Sequence, residues 1–264
     1  MSMPQNPIID TIRQTRQQGR MALCGYFLAG YPSPEQFYRV VRACRALDVI
    51  EYGIPADDPA LDGPVIANAH EVVTRQRGVR AETALVLIGG LAAVPQPRFV
   101  MTYTTVGREM GGFLRMCVTN EVHGVLVPDI KPDEGSFVAS VTRTLQMAPI
   151  TLLDARADDS AFHWAAEHGD IVYLKASTGA TGSPANLDGE LGDVIAGAIA
   201  RLRDLSPDTP VAVGIGIREP EQVAALAALG ADMAIVGTRI IEYLKQGDDA
   251  LVRYVEQLRA ATPC

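Results

Sequence analysis

The chain alternates between short apolar runs and longer stretches in which apolar residues recur every three or four positions. The runs are Ala22–Leu28, Val49–Gly53, Phe99–Tyr103, Gly124–Val127, Ile150–Leu153, Asp170–Lys175, Val211–Val213 and Met233–Val236. They are apolar along most of their length, the mark of strands buried on both faces of a parallel sheet. The helical period predicts helices at about residues 7–19, 33–46, 65–75, 81–91, 108–119, 132 onward, 160–168, 188–205, 219–229, 239–245 and 249–260. Ser33-Pro34-Glu35 gives one a sharp start, with Ser33 as N-cap and Pro34 at the first helical position. Eight strands alternating with helices predict a closed (β/α)8 barrel of the TIM type, a single domain over residues 1–264. An open doubly wound sheet is the alternative, but no GxGxxG follows the first strand.

Composition narrows the partners. The 264 residues are 48% hydrophobic, enough for one large core, and the formal net charge is −8 with no cluster of Lys or Arg. Nucleic acid and anionic membranes are poor partners for such a surface. An anionic ligand would need backbone N–H groups at helix starts. Cys24, Cys44, Cys117 and Cys264 are scattered, with no CxxC and no Cys/His spacing suited to a metal. No signal peptide is visible, and no run approaches the roughly 20 apolar residues of a membrane span. The expectation is a reducing, cytoplasmic compartment.

Chemistry concentrates after the second strand. Glu51–Pro64 holds four carboxylates, three prolines and two glycines in fourteen residues. Such a loop has pre-set turns and fixes its carboxylates at little entropic cost. In a barrel the loops after the strands carry the site. Glu51 ends the strand among Val49, Ile50 and Tyr52, where poor solvation would raise its pKa and suit it to proton transfer near neutrality. Asp62 lies eleven residues on. The bland alternative is a structural carboxylate paired to a neighbour.

Glycines recur after the last three strands. Ser177-Thr178-Gly179-Ala180-Thr181-Gly182 follows the sixth as a candidate covering loop. Gly214-Ile215-Gly216-Ile217 follows the seventh, and Val236-Gly237-Thr238 the eighth. Barrels commonly build a phosphate site from the backbone of the last two loops.

These motifs, with Glu51-x-Gly53-Ile54-Pro55-x-x-Asp58-Pro59-x-x-Asp62-Gly63-Pro64, resemble the tryptophan synthase α subunit family over nearly the full chain. The resemblance implies a retro-aldol lyase that splits indole-3-glycerol phosphate into indole and glyceraldehyde 3-phosphate without cofactor or metal. Indole then passes to a pyridoxal-phosphate β subunit. It implies that Glu51 moves protons at carbon and hydroxyl, while Asp62 accepts from the indole N–H. Gly182, Gly214, Gly216, Gly237 and Thr238 would grip the phosphate. Tyr103, Tyr173 and Thr181 would stand beside the substrate, and Tyr26, Met101, Leu126, Leu153 and Ile215 would line the indole slot.

The chain departs from the family pattern at four places. Ala56-Asp57 replaces Phe-Ser. Met101-Thr102-Tyr103-Thr104-Thr105-Val106 lacks the usual Asn-Pro turn, which weakens the expected β partnership. Lys131 replaces an apolar residue or proline. Lys175 stands at an apolar position, two residues after Tyr173 and hence inward like it. A buried Lys175–Asp154 ion pair is the favoured explanation, and a Schiff-base lysine the alternative. Two rival functions follow: a paralogue acting on another phosphorylated carbonyl compound through Lys175, or a non-catalytic subunit that binds a phosphorylated ligand.

Overall fold

The computed structural model describes residues 6–106, 109–175, 187, 189–214 and 216–263. Eight parallel strands close into a barrel in sequence order: β1 (Ala22–Leu28), β2 (Val49–Gly53), β3 (Arg98–Met101), β4 (Gly124–Leu126), β5 (Ala148–Asp154), β6 (Ile171–Lys175), β7 (Val211–Gly214) and β8 (Met233–Val236). The helices are α1 (Pro7–Gln17), α2 (Pro34–Ala43), α3 (Pro64–Glu71), α4 (Ala81–Gly89), α5 (Met110–Thr119), α6 (Pro132–Thr144), α7 (Asp159–His168), α8 (Glu190–Leu205), α9 (Pro220–Ala228), α10 (Thr238–Leu244) and α11 (Asp248–Ala260). The predicted barrel is thus the observed one, and β1, β2 and β8 keep their predicted bounds. Ser33 does cap α2, accepting from the Gln36 N–H. Strand β5 is longer than predicted and admits Pro149. The helix predicted at 65–75 changes pitch partway: α3 ends at Glu71 and a π-helical turn, Val72–Gln76, continues it.

The N-terminal ends of the strands are stitched in pairs. The residue leading each of β2, β4 and β8 is Asp48, His123 or Asp232. Each donates its backbone N–H to a carbonyl of the preceding strand, at Leu23, Arg98 and Val211. In return the side chain accepts that same residue's N–H: Leu23 N to Asp48 Oδ2 at 2.9 Å, Arg98 N to His123 Nδ1 at 3.2 Å, and Val211 N to Asp232 Oδ2 at 2.7 Å. At β6 the leader is Asp170, and its opposite number is Pro149, which has no N–H to offer. The Asp170 carboxylate bonds Arg143 instead, at 2.8 Å. Buried polar groups need such partners. α1 lies across this end, with Ile8, Ile9 and Ile12 buried and Asn6 Nδ2 donating to the His123 carbonyl at 2.8 Å.

Candidate active site

The opposite end carries the chemistry. All five residues of β2 are buried, and Glu51 sits in register between Tyr26 of β1 and Phe99 of β3. It is only 3% exposed. Burial, followed by the nearby Asp62 charge, pushes its pKa up to about 8. Removing a carboxylate from water favours its neutral form, so Glu51 holds its proton at neutral pH.

Asp62 comes from the loop ahead of α3, where Pro64 opens the helix behind Gly63. Tyr103 Oη donates to its Oδ2 at 2.7 Å. Burial raises the Asp62 pKa to about 6, against the pull of the Tyr103 hydrogen bond and the Lys175 charge. The two carboxyl groups therefore differ at neutral pH: Glu51 is mostly an acid, and Asp62 mostly a carboxylate.

Both face one cavity, whose wall also includes Leu61, Met101, Tyr103, Leu126, Pro128, Leu152, Tyr173, Lys175 and Gly214. Two glycines make room for tyrosine hydroxyls around it. A Cβ on Gly53 would collide with Tyr26 Oη, and one on Gly214 with Tyr173 Oη. Between β4, β5, α6 and α7 lies a second cavity, walled by Val125, Ile150 and Trp164 among others, with no titratable side chain.

Of the residues expected at the site, Glu51, Asp62, Met101, Tyr103, Leu126, Tyr173, Lys175 and Gly214 meet on this wall. Tyr26 does not line it; its ring is buried behind, with Oη 3.5 Å from His70 Nε2. Leu153 is also displaced. Leu152 is the register partner of Tyr173 and shares its inward face, so Leu153 points to the helices. Gly216, Gly237 and Thr238 follow β7 and β8 but are not on the wall, and a Cβ on Gly237 would lie 3.7 Å from Tyr26 Cβ. Thr181, Gly182 and Ile215 lie outside the described residues.

The Lys175–Asp154 ion pair is not formed. The two are register partners on β6 and β5, yet they diverge. Asp154 is exposed, and its Oδ1 accepts the Arg156 N–H at 2.9 Å. Lys175 turns inward to the cavity, where its charge bears on Asp62.

One site residue escaped the sequence reading. His70 of α3 is 1% exposed, with Nε2 3.6 Å from Asp62 Oδ2 and Nδ1 accepting the Ala56 N–H at 3.0 Å. Burial lowers its pKa to about 4, so it is neutral. The signal was its spacing: Ile66, His70 and Val73 fall on one stripe of the helix, which puts the imidazole on the buried face. Among the described residues no three His, Cys, Asp or Glu side chains gather as metal ligands. No helix among them is long and apolar enough to cross a membrane.

A parallel barrel whose strand ends hold one neutral and one ionised carboxyl group in a tyrosine-rimmed cavity defines an enzyme of the acid–base barrel class. The chain belongs to the tryptophan synthase alpha chain family, whose model matches residues 12–262. A tryptophan synthase alpha chain from Halorhodospira halophila is 34% identical over 274 residues, spanning 96% of this chain and 93% of that one. Another, from Mycobacterium ulcerans, is 31% identical over 260 residues, with 96% and 93% spanned. The structure of tryptophan synthase from Mycobacterium tuberculosis aligns with a TM-score of 0.89 at 27% identity, over 98% of this chain and 99% of that one.

Proposed function

We propose that this chain cleaves indole-3-glycerol phosphate to indole and glyceraldehyde 3-phosphate, with Glu51 and Asp62 as its acid–base pair. The observation that carries the assignment is that Glu51 and Asp62 face one cavity from separate elements, with Asp62 held by the Tyr103 hydroxyl at 2.7 Å and Glu51 buried without such a donor among the described residues. Burial raises the pKa of both, that of Glu51 further. Retro-aldol cleavage needs a proton delivered to indole C3. Neutral Glu51 supplies it. The ring then carries positive charge at its nitrogen, and the Asp62 carboxylate accepts the ring N–H and stabilises that charge. As the C3–glycerol bond breaks, the electron pair returns to the ring and the neighbouring hydroxyl becomes the aldehyde. Its proton goes to the Glu51 carboxylate, which is thereby reset.

Met101, Leu126, Pro128 and Leu152 supply the apolar wall against which an indole ring would lie. The phosphate falls to the backbone around Gly214, Gly237 and Thr238, at the C-terminal ends of β7 and β8. Held at that end, the substrate presents its reacting bond to Glu51, so that binding energy far from the chemistry is used for positioning. A pyridoxal-phosphate β subunit is the acceptor this reading implies for the released indole.

Cleavage of indole-3-glycerol phosphate by the purified chain, with Glu51→Gln and Asp62→Asn beside it, tests the reading. The expected result is indole release that falls by at least about a hundredfold in each variant, the scale of a lost general acid–base group. Wild-type turnover that survives either change removes that residue from the role. A second reading gives Lys175 a covalent role. The observation favouring it is that Lys175 lines the cavity while Asp154 turns to the Arg156 N–H. Borohydride added during turnover separates the two: the acid–base route leaves Lys175 unmodified, and an adduct of the aldehyde on Lys175 overturns it.

A further inference from the structure

Ala56 and Asp62 lie on the same loop, and a single side chain from another element reaches both. His70 Nδ1 accepts the Ala56 N–H at 3.0 Å, which fixes the tautomer, since a neutral imidazole has one ring proton and it must then be on Nε2. That Nε2–H points between Tyr26 Oη at 3.5 Å and Asp62 Oδ2 at 3.6 Å. Neither separation is a good N–H···O bond. A fully buried donor left between two acceptors gains from closing onto either one.

Asp62 shows which closure matters. Tyr103 Oη also approaches Oδ2, not Oδ1. Among the described residues, both neighbours on the carboxylate thus stand on one oxygen, and Oδ1 is left for the cavity. We infer that His70 is a positioning residue, which closes its Nε2–H onto Asp62 Oδ2 when substrate binds and so aims Oδ1 at the substrate's ring N–H. The inference rests on the role given to Asp62 above. It adds a link from the loop anchor at Ala56, through the imidazole, to the reacting group. Contacts of this kind are often long in a free enzyme and tighten in the complex. The π-helical turn that begins two residues after His70 is the kind of local irregularity that accompanies functional positions on helices.

The groups facing Asp62 are Tyr103 from the loop after β3, His70 from α3, Glu51 from β2, Tyr26 from β1, and Tyr173 and Lys175 from β6. His70 itself faces Tyr26 and Asp62. Its removal as a donor therefore leaves Tyr103 and Lys175 as the remaining supports of the carboxylate, and Glu51 as a like charge once ionised.

Two amide variants take the imidazole's two jobs apart. The Gln amide extends to the place of Nε2 and keeps a donor for Asp62. The shorter Asn amide reaches the place of Nδ1 and keeps an acceptor for Ala56. In the intact chain, His70→Asn is expected to lower kcat about ten- to a hundredfold, the scale of one hydrogen bond to a charged group. KM should change little, and the acid limb of kcat, which reports the substrate-bound enzyme, should move up by about one pH unit. His70→Gln is expected to recover most of kcat and the original limb. Tyr26→Phe, which removes the competing acceptor, should move the limb down. Equal losses in Asn and Gln with the limb unmoved, or a His70→Gln more impaired than His70→Asn, overturn the inference and leave His70 a loop anchor. If the wild type has no lyase activity, the reading of the reaction fails. Carbon-13 NMR titration of the Asp62 carboxyl, assigned with Asp62→Asn and run with saturating indole and glycerol 3-phosphate, then decides this point alone: a pKa unchanged between wild type and His70→Asn overturns it.

Discussion

Burial moves both carboxyl groups of the cavity the same way, and unequal neighbours set them apart. Tyr103 and Lys175 hold Asp62 down, while Glu51 has only the repulsion of Asp62 beside its desolvation. The reaction wants Asp62 ionised and Glu51 protonated, so kcat/KM should be bell-shaped, rising through about pH 6 and falling through about pH 8, as a pH–rate series would show. Stability should follow a different course. Glu51 has an ordinary pKa of 4.5 when unfolded and about 8 when folded, so between those values only the folded chain keeps the proton. Stability from this group is complete below pH 4.5 and is lost as pH rises through about 8. Glu51→Gln has no such loss. Its melting temperature should therefore gain on the wild type across that window, by the equivalent of up to about 5 kcal/mol at the alkaline end. A gap that narrows with rising pH would contradict the sign. The acidic loop was legible because its spacing is dense and particular. His70 was not, because a lone histidine on an apolar face is usually core. The Lys175–Asp154 pairing failed because register places backbones side by side without deciding where two long side chains turn.

The elements carry a regularity that no single residue displays. At three even-numbered strands the leading side chain closes a two-way link with the strand before it; at the fourth, Pro149 removes the donor and Arg143 takes its place. These links lie far from the cavity, so their loss should cost stability and spare catalysis. Asp232→Asn, which weakens the bonds to Val211 N–H and Arg203, is expected to cost about 1–3 kcal/mol in denaturant unfolding with kcat unchanged. Arg98 gives a second test. Its buried guanidinium donates to the carbonyls of Leu91 at 2.9 Å and Val94 at 2.8 Å, just past the end of α4. Arg98→Met should strand both acceptors and cost about 2–3 kcal/mol by the same measurement. Strand and helix positions were readable because runs buried on both faces are unbroken in sequence. The links were not, since an Asp before a strand looks like any turn residue until its partner is known. Proline within β5 and the change of pitch after Glu71 were missed for a related reason: both are permitted by tertiary contacts that local propensity does not contain.

At the scale of the molecule, the barrel divides its labour between ends, with the inter-strand side-chain links and α1 at one and the cavity at the other. The closed topology was legible from eight repeats of one pattern, and the depth of each inward residue was not, which is why Leu152 and Leu153 were exchanged. Gly214 joins the two scales: it was read as a place for phosphate, and it also gives Tyr173 its room. Gly214→Ala should displace the Tyr173 ring and lower kcat/KM more than about tenfold, with the fold intact by circular dichroism. The paired stitching has a further meaning during synthesis. As the chain leaves the ribosome, the Leu23, Arg98 and Val211 amides have no side-chain acceptor until Asp48, His123 and Asp232 emerge, each behind a helix. Each of these three links closes only once the later strand of its pair has emerged. Nascent chains stalled after β2 or β4 should resist protease better than chains stalled one strand earlier, with no such gain at β6, where Pro149 removes the donor.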